Sequence, residues 1–219
     1  MNRFDILLVT WNRLDYLKRT VASLIDSGAI GHCDRFIIVD NASTEDGVKY
    51  FLDYLKKKYR AIIVSLPENH GWGSAVNAGI GISMAPYILL SNNDVEYKYD
   101  FHRNMLSIFN KALLLPPNRE SKGIGILGAW RHTAHGIVEG GVYNDDFVEM
   151  DNVPAVAWML SKEAMIEIGM LPEHGPCDTK GGNGEDTEYV MRMKDKGYLV
   201  GVPKIALNEE TLAHHIDGY

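Results

Sequence analysis

The stretch Tyr87-Ile88-Leu89-Leu90-Ser91-Asn92-Asn93-Asp94 passes from a short apolar run into two amides and a carboxylate. Such a run, bounded by polar residues, reads as a buried strand that ends at a polar edge. Toward the N-terminus the same plan recurs three times. Ala61 to Leu66 runs into Pro67-Glu68-Asn69-His70-Gly71-Trp72-Gly73, and Arg35 to Asp40 into Asp40-Asn41-Ala42-Ser43-Thr44-Glu45-Asp46. Phe4 to Thr10 runs into Thr10-Trp11-Asn12-Arg13. Between the runs, Leu14, Leu17, Val21, Leu24 and Ile25 fall at helical spacing, as do Val48, Phe51, Leu52, Leu55 and Tyr59, and Ser74 to Ser83 reads as a helix of small residues. Strands alternating with helices predict a parallel sheet covered on both faces. Ligands of such sheets collect beyond the carboxyl ends of the strands, so the four polar endings share one edge.

The second half changes character. A helix is expected over Asp100 to Leu115, then a break at Pro116-Pro117, a strand at Ile124 to Trp130 and a hairpin or loop over His132 to Val148. Ala155 to Leu160 reads as a buried strand, Lys162 to Ile168 as a helix, Glu185 to Lys196 as a helix stopped by Gly197, and Leu199 to Val202 as a further strand. With no repeat and no linker-like segment, the 219 residues are expected to form one α/β domain, a mostly parallel twisted sheet flanked by helices with a smaller mixed C-terminal part.

Composition narrows the function. Hydrophobic residues make up 46% of the chain and charged ones 23%, enough to fill a core. The formal charge of -7 argues against a nucleic-acid partner. No run approaches the roughly 18 apolar residues of a membrane span. Asp5 interrupts what would be a secretory apolar region, so the chain reads as a cytoplasmic protein. Cys33 and Cys177 lack any metal or disulfide spacing and read as unpaired thiols.

Familiar phosphate loops are missing. No glycine stands between Met1 and Ser27, which excludes a dinucleotide fingerprint after the first strand, and neither a G-x-x-x-x-G-K-[ST] loop nor a G-x-S-x-G elbow occurs. Taken singly, Asp40 and Ser43 read equally as helix or turn caps and as ligand contacts. Gly71-Trp72-Gly73 reads either as a tight turn or as backbone approaching a ligand. Asp94 alone reads as a turn residue too, but a carboxylate ending a buried strand at the binding edge is more often a metal or phosphate site than a random Asp. Gly181-Gly182-Asn183-Gly184 leads into Glu185, Asp186 and Glu188; the helix dipole accounts for charge there but not for three carboxylates in four residues after so flexible an approach.

In this order, Thr10-Trp11-Asn12-Arg13, Val39-Asp40-Asn41-Ala42-Ser43-Thr44, Asn69-His70-Gly71-Trp72-Gly73-Ser74-Ala75-Val76-Asn77-Ala78-Gly79, Leu90-Ser91-Asn92-Asn93-Asp94 and Gly184-Glu185-Asp186 resemble the family 2 glycosyltransferases of GT-A fold. Met159 to Ala164, Gly169 to Glu173 and Tyr189 to Tyr198 match as well. The resemblance implies a nucleotide-sugar site built from Thr10, Asn12, Arg13, Asp40, Asn41, Asn69, Gly71, Trp72, Asn77 and Asn93. It implies Asp94 and His214, or His215 instead, on a Mn²⁺ or Mg²⁺ ion at the donor diphosphate. Asp186 corresponds to the general base, with Glu185 beside it, and Trp158 lies where the family builds its acceptor pocket. Residues 1–115 would form the nucleotide-sugar half, and 116–219 the acceptor and base half.

The implied activity is inverting transfer of one sugar from a UDP- or dTDP-sugar to a hydroxyl of a glycan or other acceptor. Asn92 stands where many members carry an Asp, an Asn-Asn-Asp version found among rhamnosyltransferase-like members. No membrane-anchoring helices follow His214-His215, which favours single transfer over polymerisation, and the stop at Tyr219 is also what a domain of a longer chain would show. Two other readings stay open: a sugar nucleotidyltransferase, although Thr10-Trp11-Asn12-Arg13 supplies no basic triphosphate loop, and a non-catalytic nucleotide-sugar-binding module.

Overall fold

A computed structural model describes residues 3–111, 121–130, 137–143, 146–173, 184–207 and 212–216. In chain order the elements are β1 (Phe4–Thr10), α1 (Leu14–Asp26), α2 (Ala29–His32), β2 (Arg35–Asp40), α3 (Val48–Tyr59), β3 (Ile62–Ser65), α4 (Trp72–Ile80), β4 (Tyr87–Ser91), β5 (Val95–Tyr97) and α5 (Phe101–Lys111). There follow β6 (Ile124–Gly128), β7 (Ile137–Tyr143), β8 (Phe147–Met150), β9 (Ala157–Ser161), α6 (Lys162–Ile168), α7 (Glu185–Asp195), β10 (Leu199–Pro203), a 3-10 turn (Lys204–Leu207) and β11 (Ala213–His215).

Nine strands form one sheet in the order β3-β2-β1-β4-β9-β6-β10-β8-β7. β1 to β4 are parallel, and only β9 and β8 run against the other seven. The expected α/β domain with a mostly parallel sheet is therefore observed. Alternate residues of each strand feed two cores. Ile6, Leu8, Ile38 and Leu89 meet Leu17, Leu24, Leu52, Leu55, Phe101 and Met105 of α1, α3 and α5. Leu7, Val9, Ile37, Val39, Leu90 and Trp158 meet Val76, Ala164, Met165, Tyr189 and Val190 of α4, α6 and α7. With both faces covered, the strands read as continuous apolar runs rather than alternating ones.

Asp5 is the exception within β1, fully buried. Its Oδ2 accepts from Ser83 Oγ at 2.7 Å and from the N–H groups of Met84 and Ala85 at 2.7 and 3.0 Å. The carboxylate thus satisfies the turn between α4 and β4.

The segment expected as a hairpin or loop over 132–148 contains the antiparallel pair β7 and β8, residues 131–136 and 144–145 lying outside the described ones. The helix expected over 100–115 runs from Phe101 to Lys111, and 112–120 with the Pro116-Pro117 break lie outside as well. The two short strands β5 and β11 pair with each other; three residues are too few for a periodicity signal. Cys33 is a free thiol, and burial pushes its pKa up to about 12; Cys177 lies outside the described residues. Among the described residues no helix is long and apolar enough to cross a membrane.

Candidate active site

The carboxyl ends of β1, β2 and β4 open onto one cleft of about 570 Å³, lined by Val9, Trp11, Arg13, Asn41, Asn69, Gly71, Trp72, Asn92, Asn93 and Asp94. That size lies within the range of small-molecule sites.

Its first wall is the turn after β1. Asn12 and Arg13 both adopt left-handed backbone, φ 54° and 57°, which costs non-glycine residues energy and must be held from outside. Asn12 Oδ1 accepts from the N–H groups of Thr44 and Glu45 at 2.7 and 3.0 Å, and its own N–H donates to Ser43 Oγ at 2.8 Å. Asp40 Oδ1 accepts from the Ser43 N–H at 2.9 Å. The Glu45 carboxylate accepts from the Leu14 N–H at 3.2 Å, capping α1 from another loop. Asn93 Nδ2 donates to Thr10 Oγ1 and Asn12 O at 3.0 and 3.1 Å, tying the β4 ending to the β1 ending.

The second wall is the entry to α4. Asn41 Nδ2 donates to Asn69 Oδ1 at 2.9 Å and Gly71 O at 3.1 Å, and its Oδ1 accepts from the His70 N–H at 3.2 Å. Gly71, at φ 88°, turns the chain straight into the helix, which therefore starts at Trp72 rather than at the expected Ser74. Gly73 answers a different need: a Cβ there would stand 2.0 Å from Pro172 O. The Trp72 indole N–H donates to Asn92 Oδ1 at 2.8 Å.

At the floor, Asp94 is 8% exposed. Its Oδ2 lies 3.0 Å from Arg13 Nη1 and 3.2 Å from His215 Nε2, while its buried Oδ1 accepts no hydrogen bond from a described residue. The Arg13 guanidinium also stacks over the Tyr16 ring at 4.1 Å. His214, expected first as the metal contact, faces Glu96 instead, with Nε2 2.9 Å from Oε2. Alternate residues of a strand point to opposite sides, so β11 aims only His215 at Asp94. Arg19, and after it His214, hold the Glu96 carboxyl below its usual range.

The second half reaches the same edge through β9, which is antiparallel to β4 and so begins where β4 ends. The Asn92 N–H donates to Val156 O at 3.2 Å, and the neighbouring Ala155 N–H points to Asp186 Oδ2 at 3.4 Å. Asp186 Oδ1 accepts from the Thr187 N–H at 2.7 Å, and Thr187 Oγ1 accepts from Asn152 Nδ2 at 3.2 Å. Glu185 is nearly buried, its Cγ 3.7 Å from the place of a Gly73 Cβ, so α7 starts against the start of α4. Residues 181–183, expected as a flexible approach, lie outside the described ones.

The structure thus brings Arg13, Asn41, Asn69, Gly71, Trp72, Asn93 and Asp94 to one cleft. Thr10 is buried and meets Asn93, while Asn12 and Asp40 hold the loop conformations. Asn77 has no place in the cleft lining: its side chain donates to Leu171 O and Glu173 Oε1 at 3.0 and 2.7 Å and accepts from the Leu171 N–H at 2.9 Å. Trp158 has no exposed surface. It lies between Trp72 and Tyr189, ring centroids 6.2 and 6.5 Å away, so it supports the wall from behind and offers an acceptor no surface. Sequence reasoning missed Val9, Asn92 and Trp11 as lining residues. The signal for Trp11 was a large aromatic at a polar strand ending, and it remains 53% exposed.

This fold, with a cleft at the carboxyl edge of its parallel strands and Asp186 of α7 beside the start of β9 at the same edge though not among the residues lining the cleft, is that of the GT-A glycosyltransferases. The sequence profile of Glycosyl transferase family 2 matches residues 5–169, and the chain belongs to that family. No curated protein sequence matches the chain. Among solved structures, S. aureus TarS 1-349 superposes with a TM-score of 0.69 at 13% identity, over 98% of this chain and 60% of that one. Its complex with UDP-GlcNAc gives 0.68 at 12%, over 100% and 61%. GalNAc-T7 with UDP, GalNAc and Mn²⁺ gives 0.72 at 13%, over 97% and 43%. At these identities the likeness is one of fold, and this chain spans about 60% or less of the length of these three.

Proposed function

We propose that this chain binds a nucleoside-diphosphate sugar in the cleft and transfers one sugar to an acceptor hydroxyl with inversion, residues 1–115 serving the donor and 116–219 the acceptor and base. The observation that carries the reading is the short path Asp94, Asn92, Val156, Ala155, Asp186, which brings two carboxylates from distant parts of the chain to one edge of the sheet. Complexes of the fold relatives with UDP, UDP-GlcNAc and UDP with Mn²⁺ support it.

Exposed Trp11 offers a face for a pyrimidine base, and Arg13 a guanidinium for the diphosphate. Asp186 accepts the acceptor proton as that oxygen bonds to the anomeric carbon, while the bond to the diphosphate oxygen breaks and its electron pair leaves with the nucleotide. The Ala155 and Thr187 N–H groups hold the carboxylate for this task.

A divalent cation fits the donor set: Asp94 offers a buried oxygen with no hydrogen bond among the described residues, and His215 stands beside it. Carboxylate and imidazole with oxygen-rich diphosphate suit Mn²⁺ or Mg²⁺. When bound, the ion offsets charge developing on the leaving diphosphate. The Asn92-Asn93-Asp94 sequence supports the rhamnosyltransferase-like subgroup and a UDP- or dTDP-sugar donor.

The test is incubation with UDP- and dTDP-sugars, Mn²⁺ and a hydroxyl acceptor. Release of nucleoside diphosphate, with a product of inverted anomeric configuration by NMR, is expected. Pyrophosphate production would indicate a nucleotidyltransferase, and binding without release a non-catalytic module; either overturns the proposal.

A further inference from the structure

The amide of Asn92 has a fixed orientation. An indole N–H can only donate, so the atom 2.8 Å from Trp72 Nε1 is the Asn92 oxygen. The amide NH₂ is then the other end, on a half-buried side chain lining the cleft, and the side chain's one hydrogen bond to a described residue is that to Trp72. The rest of the residue is already used, its N–H on Val156 O and its carbonyl accepting from Ser91 Oγ at 2.8 Å. Nearby, Asp94, the one carboxylate lining the cleft among the described residues, already carries Arg13 and His215 on a single oxygen. Among the described residues no group of three or more His, Cys, Asp or Glu side chains is arranged to hold a metal. Among the described residues lining this part of the cleft, the amide and indole donors and the Arg13 guanidinium outnumber the single carboxylate.

The geometry points to Asn92 as a donor to the diphosphate, its NH₂ bonding a non-bridging phosphate oxygen so that nucleoside diphosphate binds measurably without a divalent ion. This inference rests on the proposed nucleotide-sugar reading and deepens it. An Asp at this position would keep an acceptor for Trp72 but turn a donor into a repelling charge. It would also add an oxygen ligand for a cation, so dependence on the ion should rise. Asn92 therefore sets how far donor binding leans on metal, with Trp72 as its positioning residue.

The test measures UDP affinity by calorimetry in EDTA and in Mn²⁺ for the wild type, N92D and N92A, with thermal melting to confirm that each is folded. In EDTA, wild type is expected to bind UDP, N92A about tenfold more weakly and N92D more weakly still. The affinity ratio between Mn²⁺ and EDTA is expected to rise at least tenfold in N92D. W72F, which frees the amide to flip, is expected to lie between wild type and N92A in EDTA. Equal ratios in wild type and N92D, or unchanged EDTA affinity in N92A, would overturn the inference while leaving the nucleotide-sugar reading intact. Absence of UDP and dTDP binding by the wild type in both conditions would instead overturn that reading, and the inference with it.

Discussion

Asp94 and Arg13 form an ion pair of 3.0 Å across the cleft floor, and His215 Nε2 shares the same carboxylate oxygen at 3.2 Å. The other oxygen is left for a ligand. Manganese-supported UDP binding is therefore expected to fall at least about tenfold in H215A and to stay within about twofold in H214A, whose imidazole faces Glu96. Calorimetry in Mn²⁺ checks this, and equal effects of the two substitutions would refute the assignment of His215.

Asp186 is expected to matter for turnover rather than for donor affinity. D186N keeps an acceptor for the Ala155 N–H but cannot take a proton, so kcat should drop roughly 10²–10⁴-fold with UDP binding nearly unchanged. Steady-state rates beside UDP titrations separate the two, and a variant with wild-type turnover would remove the base from Asp186.

Gly73 and Gly31 are expected to behave oppositely. G73A drives a methyl into the Pro172 carbonyl, whereas a Cβ at Gly31 meets nothing within 4 Å. The first should cost about 1–3 kcal/mol or more, lowering Tm by several degrees at roughly 2–4 °C per kcal/mol. The second, in α2, should be neutral or gain about 0.5 kcal/mol. Thermal melts compare them directly.

His102 is expected to make stability acid-sensitive. It is buried against Phe4 and His32, with Asp100 3.9 Å away, and neither ring nitrogen makes a hydrogen bond with a described residue. Burial lowers its pKa from 6.5 to about 4, Asp100 opposing and His32 and Arg103 adding to the fall. The unfolded chain takes up the proton first, so stability should decline as pH drops from about 6.5 to about 4 and change little below that through this group, by up to about 3 kcal/mol. H102F, keeping a ring in the stack, should flatten this window in urea melts at graded pH.

The sheet, its helices and its polar edge were legible because β1, β2 and β4 are buried on both faces and end in residues that turn or bind, while the half-exposed edge strand β3 still carries a short apolar run. Near the site, what escaped depends on contacts between distant residues. The requirement for Gly73 comes from Pro172, and the hydrogen bonds that take Asn77 out of the cleft come from Leu171 and Glu173. His214 and His215 are equal as letters, and only the pairing of β11 with β5 decides which meets Asp94. Trp158 matched a family position but sits a layer deeper, because its partner Leu90 faces the core.

The antiparallel seam between β4 and β9 pairs Leu90 with Trp158 and Ser91 with Ala157. Strand phase there is all or nothing, since a slip of one residue turns every side chain to the opposite face. It would swing Trp158 out from behind Trp72 and carry Ala155 away from Asp186. A graft that reaches this seam must therefore rejoin at Ala155 in step, and one that replaces β6 or β8 must also keep their place in the sheet and their buried residues.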